Sequence, residues 1–129
     1  MGVVFFHPPQ GFRTSFFKEV VEGVLAKERK SDFSVSLVFV NEKESQELNL
    51  RYRHKSKATD VLSFASNEEK YLGELVICPA CVQKGEKELL RVVIHGLLHL
   101  LGYEHEASQK KAFVMKQKEE RYLNQGTNG

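Results

Sequence analysis

At 129 residues the chain has the size of one domain with a single hydrophobic core, and 41% apolar with 28% charged side chains excludes a disordered or fibrous protein. The formal net charge of +2 is too small to hold a polyanion by overall charge, so such a partner has to meet a local basic patch. No apolar run approaches a membrane span, and Val3-Val4-Phe5-Phe6 is too short for a signal sequence and stops at His7-Pro8-Pro9; the expectation is a cytoplasmic protein with no membrane partner.

Val3 to Phe6 reads as a short strand. Thr14 or Ser15 can cap a helix running to about Lys27, whose apolar positions Phe17, Val20, Val21, Val24 and Leu25 keep helical period. Ser34 to Val40 alternates, with Val35, Leu37 and Phe39 on one face of a second strand. Asn41 and Glu44 have the spacing of a capping box for a helix from Glu42 to about Tyr52.

Arg51, Arg53, Lys55 and Lys57 then make the densest basic segment, a candidate phosphate-binding loop, although such a run taken alone is more often a solvated face. Thr59 to Phe64 reads as a strand rising from it and Leu72 to Ile77 as another. Asn67-Glu68-Glu69-Lys70 between them predicts an antiparallel hairpin. Cys78 and Cys81 form a CxxC with Pro79 at a first helical turn. No tryptophan stands beside the pair and no later proline faces it, so a structural role outweighs a redox or metal role. Gly85 marks a break before a helix from Glu86 to Leu101. Ser108 can cap a last helix with Ala112, Met115, Tyr122 and Leu123 inward, and the polar segment from Asn124 to Gly129 is expected to be a disordered tail after a single domain of residues 1–123. The expected fold class is α+β, a small mixed four-stranded sheet packed by helices.

The stretch Arg91 to His105, RVVIHGLLHLLGYEH, carries the chemistry. On a helix, His95 and His99 lie about 40° apart around the axis and one turn apart along it, so their imidazoles can converge on one ion. Gly102 can take the left-handed conformation that ends a helix and lets the chain bring His105 back toward them. Three neutral nitrogens with a fourth position open describe a catalytic zinc site, one ion per chain, whereas structural zinc is usually closed by four protein ligands. Leu90, Ile94, Leu97 and Leu101 form the core-facing stripe and place the two histidines on the other side of a central, buried helix. The spacing matches the three-histidine zincins, except that Gly96 stands where their glutamate, the general base of peptide hydrolysis, would be.

These residues resemble the YbeY family of bacterial endoribonucleases. The resemblance rests on HGLLHLLGYEH at 95–105, Leu48-Asn49 with Tyr52-Arg53, TDVLSF at 59–64 and Leu72-Gly73-Glu74, which in that order cover most of residues 40–105. It implies that His95, His99 and His105 bind zinc and that Arg53 is the family's functional arginine. It further implies cleavage of single-stranded RNA in the maturation of the 3' end of 16S ribosomal RNA, and a part in ribosome quality control. With that chemistry, Arg53 is suited to stabilising charge that builds on an attacked phosphodiester, and Arg51, Lys55 and Lys57 to holding flanking phosphates. Glu104, where the family commonly has aspartate, can orient a ligand histidine or move a proton, and equally suits a plain surface position. A zinc metallopeptidase, disfavoured by Gly96, and a ribosome-associated binding protein with a structural zinc are the competing readings.

Overall fold

The alternation of Val35, Leu37 and Phe39 builds the middle of the sheet: all three are buried in strand β2, Ser34–Phe39. In the computed structural model, which describes residues 2–83, 85–103 and 108–128 (side chains of the last helix through 126), β1 (Val3–Phe6) runs parallel to β2. β2 runs parallel to β4 (Tyr71–Ile77), and β3 (Val61–Ala65) is antiparallel to β4 at the edge, giving the order β1-β2-β4-β3. The predicted hairpin is therefore present. β3 starts at Val61 rather than Thr59, because Thr59 is bound elsewhere: its backbone N–H donates to Ser45 Oγ at 2.9 Å and its carbonyl accepts from the same hydroxyl at 2.7 Å.

Among the described residues the sheet is joined by four α-helices: α1 (Thr14–Lys27), α2 (Glu42–Arg53), α3 (Glu86–Leu100) and α4 (Gln109–Asn128). Helix α1 buries Phe17, Val21, Val24 and Leu25 in the same core as Val35, Leu37, Leu75 and Ile77. Its cap position is Arg13, not Thr14 or Ser15, and no side chain caps it. Arg13 instead donates to Glu86 at the start of α3, at 2.9 and 2.6 Å. That pair is exposed, so it contributes little to stability and mainly sets where the two helix starts meet. Helix α2 carries the predicted capping box: Asn41 Oδ1 accepts from the Glu44 N–H at 2.8 Å, and Glu44 Oε1 from the Asn41 N–H at 3.0 Å.

Helix α3 buries Leu90, Val93, Ile94, Leu97 and Leu98 against the sheet and α4. Full burial of each large aliphatic side chain stabilises by roughly 1.5–3 kcal/mol, so this stripe is what holds α3 in place. The close approach depends on Gly96. A Cβ there would lie 2.9 Å from Leu75 Cδ2 and 3.1 Å from Val61 Cγ2. Position 96 thus faces the sheet, and a glutamate has no room there.

The far end of α3 closes as its sequence predicts. Gly102 sits at φ 102°, its N–H donates to the His99 carbonyl at 3.0 Å, and the Tyr103 N–H donates to the Leu98 carbonyl at 3.0 Å. This pair of bonds is a Schellman motif, which turns the chain sharply after the second histidine. Ser108 Oγ then accepts from the Lys111 N–H at 3.0 Å as α4 begins. The segment from Asn124, expected as a disordered tail, instead continues α4 to Asn128. The reason is packing at Gly126, where a Cβ would sit 3.2 Å from Val20 and 3.3 Å from Leu90.

Pro79 opens only a single 3-10 turn, Pro79–Cys81. Cys78 and Cys81 are free thiols with their sulfurs 3.1 Å apart. Burial, with the Cys78 thiol beside it, pushes Cys81 up to about 12, the opposite of a reactive or metal-binding thiolate. The structural reading of this CxxC fits that environment.

Candidate active site

One helical turn brings the His95 and His99 rings together. Their Nε2 atoms are 3.2 Å apart, with ring centroids 4.7 Å apart and planes at 78°. The other nitrogen of His95 is held from α4, where Glu119 Oε1 lies 2.6 Å from Nδ1. The Glu119 side chain is 9% exposed. Burial pushes its carboxyl up, but the hydrogen bond and charge of His95, followed by those of Arg91, outweigh burial and hold it below its ordinary value. An ionised carboxylate can only accept, so Nδ1 carries the proton and donates it. In the neutral ring this arrangement leaves Nε2 as the lone-pair nitrogen, and Nε2 is the atom that lies toward His99.

Arg91 completes the array. It pairs with Glu120, lies 3.5 Å from Glu119 Oε2 and 3.5 Å from Glu88, and is raised in pKa first by its hydrogen bond to Glu120. Arg91, Glu119, His95 and His99 therefore form a continuous chain of polar contacts.

The array opens into a cavity of about 770 Å³ whose wall also includes Tyr52 and Arg53 from the last turn of α2, and Val61 to Phe64 of β3. The placement of Arg53 follows from local sequence. The capping box starts α2, and His54 in the left-handed region at φ 59° ends it directly after Arg53. The returning loop is then tied back onto α2: Gln46 Nε2 donates to the Ser56 carbonyl at 3.0 Å and Asn49 Nδ2 to the Lys57 carbonyl at 2.8 Å.

Of the residues singled out from sequence, the fold brings together His95, His99 and Arg53. Arg51, Lys55 and Lys57 are exposed and do not line the cavity. Glu104 and His105 lie outside the described residues. Among the described residues no group of three or more His, Cys, Asp or Glu side chains could hold a metal ion. His95 and His99 bring two imidazole nitrogens together, which could serve as two of the four donors of a tetrahedral site.

Glu119 is the residue that sequence reasoning missed. Its signal is visible in hindsight: an acid four residues after Met115 and three before Tyr122 lies on the inward stripe of α4, and a carboxylate on a buried stripe needs a partner. The partner sits on another helix, 24 residues away, so α4 alone does not identify it.

Residues 10–127 match the family model for endoribonuclease YbeY. An endoribonuclease YbeY of Thermotoga petrophila is 41% identical over 114 residues, covering 82% of this chain and 75% of the relative. One from Persephonella marina is 40% identical over 114 residues, covering 78% and 74%. A solution structure of a Thermotoga maritima protein superposes with a TM-score of 0.71 at 36% identity, covering 96% of this chain and 88% of that one. With its mixed sheet and four helices, and with the family model matched over residues 10–127, the chain belongs to the YbeY endoribonuclease family.

Proposed function

We propose that this protein is a zinc-dependent endoribonuclease that cuts single-stranded RNA during maturation of the 3' end of 16S ribosomal RNA, in the cytoplasm, and that it serves ribosome quality control. The observation that carries the reading is the pair of Nε2 atoms 3.2 Å apart, in one cavity with Arg53. Membership of an endoribonuclease family supplies the substrate class. RNA, and through it the small ribosomal subunit, is the partner this reading requires. No described helix is long and apolar enough to cross a membrane.

The donor set fits zinc. Two imidazole nitrogens converge, one ring oriented by a buried carboxylate, and His105, three residues after Gly102 in the sequence, is the third ligand of this reading. Zinc held by His95, His99 and His105 would supply Lewis acidity, the chemistry by which such an ion makes hydroxide available near neutral pH and polarises a phosphoryl oxygen. Glu119 keeps the Nδ1 proton on His95, so that Nε2 stays a lone-pair donor. Arg53, always charged and forked, binds the non-bridging oxygens of the phosphodiester as negative charge accumulates on them. Arg51, Lys55 and Lys57 hold neighbouring phosphates from the exposed surface without reading sequence. Glu104, next to His105 in the chain, is a further candidate for orienting a ligand or moving a proton.

A zinc peptidase would need a general base at position 96, which packs on Leu75 and Val61 of the sheet with no room for a glutamate and does not line the cavity. The test is to incubate protein of known zinc content with single-stranded RNA and with casein, each with and without chelator. Chelator-sensitive cleavage of RNA alone is expected. Cleavage of casein would replace the reading with a peptidase, and unfolding by chelator with neither substrate cut would replace it with a binding protein whose zinc is structural.

A further inference from the structure

We propose that Tyr52, backed by Phe64, is a stacking platform for an unpaired nucleobase beside the phosphate that Arg53 holds. The inference rests on the nuclease reading and adds the side chain that selects single-stranded substrate. Tyr52 is 56% exposed although it stands in the last turn of a well-capped helix. Its ring is not loose: Phe64 of β3 meets it edge to face, centroids 5.1 Å apart and planes at 73°. Edge-to-face aromatic pairs of this geometry are attractive, so Phe64 fixes the plane of the tyrosine while most of its surface stays open to water.

Scattered exposed aromatics are ordinary, but this one has a location. Both rings line the same cavity as His95 and His99, and Tyr52 immediately precedes Arg53. A nucleotide whose phosphate meets the Arg53 guanidinium therefore has its base within reach of the Tyr52 ring. Bases inside a duplex are stacked on one another and offer no free face, whereas an unpaired base does, and every base has one. A fixed ring beside a cation thus selects single strands without selecting sequence, which is also how other single-strand grooves combine aromatic and basic groups.

The experiment measures binding of a labelled 2'-O-methyl oligoribonucleotide, as a single strand and as a duplex, to the zinc-loaded full chain by fluorescence anisotropy. Tyr52→Ala is expected to weaken the single strand about tenfold. Tyr52→Phe is expected to restore the affinity, and duplex binding to be insensitive to both. An abasic site scanned along the oligonucleotide is expected to cost the wild type about the same at one position and to cost Tyr52→Ala nothing further there. Unchanged single-strand affinity in Tyr52→Ala, or abasic and Tyr52→Ala losses that add, overturns the platform and leaves the nuclease reading standing. Equal losses for single strand and duplex also overturn it, and would make Tyr52 a contact for some other partner. Stacking intact without any cleavage of natural RNA overturns the nuclease reading alone.

Discussion

Glu28 and Glu119 are equally withdrawn from water, each with a side chain 9% exposed, and both are held below the ordinary carboxylate value against burial that pushes them up. Their partners differ. Glu28 accepts from Tyr122, from Tyr103 at 2.7 Å and from Lys118 at 3.0 Å, three donors with nothing further to do. Burial and this carboxylate push Tyr122 up to about 12 and raise Tyr103 as well, so the cluster stays in one protonation state across the neutral range. Glu119 accepts from His95, whose second nitrogen faces His99 across an open cavity. The same balance of desolvation and hydrogen bonding thus gives a sealed strut in one place and an oriented imidazole facing a cavity in the other. What separates them is whether the donor has a second functional atom and somewhere to point it.

That contrast can be broken at several points. The largest effect is expected at Arg53: Arg53→Ala should keep zinc and folding but lower kcat by about 100- to 1000-fold, the usual cost of losing one donor to transition-state charge, read by RNA cleavage at matched zinc content. Glu119→Gln should weaken zinc affinity by about 10- to 100-fold, as removal of a carboxylate behind a ligand histidine does, measured by competition with a chromophoric chelator. Glu28→Gln should leave zinc affinity unchanged and lower folding stability by about 1–2 kcal/mol in denaturant titrations, because three hydrogen bonds lose their charged acceptor. Should Glu28→Gln lower zinc affinity as much as Glu119→Gln, the two carboxylates are not distinct.

Acid should show the smallest effect. A carboxylate lowered on folding adds stability that is full above its ordinary value of 4.5 and lost as pH falls through the folded-state value. The stability difference between wild type and Glu28→Gln should therefore be constant near neutrality and shrink below about pH 4.5. A difference that grows on acidification would mean that the sign of the Glu28 shift is wrong.

Much of this was legible in the sequence because its signals are local. Asn41 with Glu44, Gly102 after the second histidine, and the alternation at 35, 37 and 39 each act within a few residues, and each takes the predicted form. Signals that depend on tertiary partners were not. The start of α1 falls on Arg13, a donor-only side chain that cannot cap it and pairs with Glu86 instead, Thr59 leaves the strand because Ser45 binds its backbone, and α4 runs on past Asn124 because Gly126 packs on Val20. At the site, the histidine spacing predicted two convergent nitrogens, which the structure shows, whereas the basic run offered four cations alike and only the family resemblance singled out Arg53. Which of the four cations reaches the cavity depended on where α2 stops, at the left-handed His54.

The most direct measurement is the zinc content of the purified protein, by elemental analysis, alongside that of folded His99→Ala. One ion per chain in the wild type and none in His99→Ala, with RNA cleavage lost in the same preparation, is the predicted result. Stoichiometric zinc retained by His99→Ala would place the metal elsewhere and contradict the convergent histidine site.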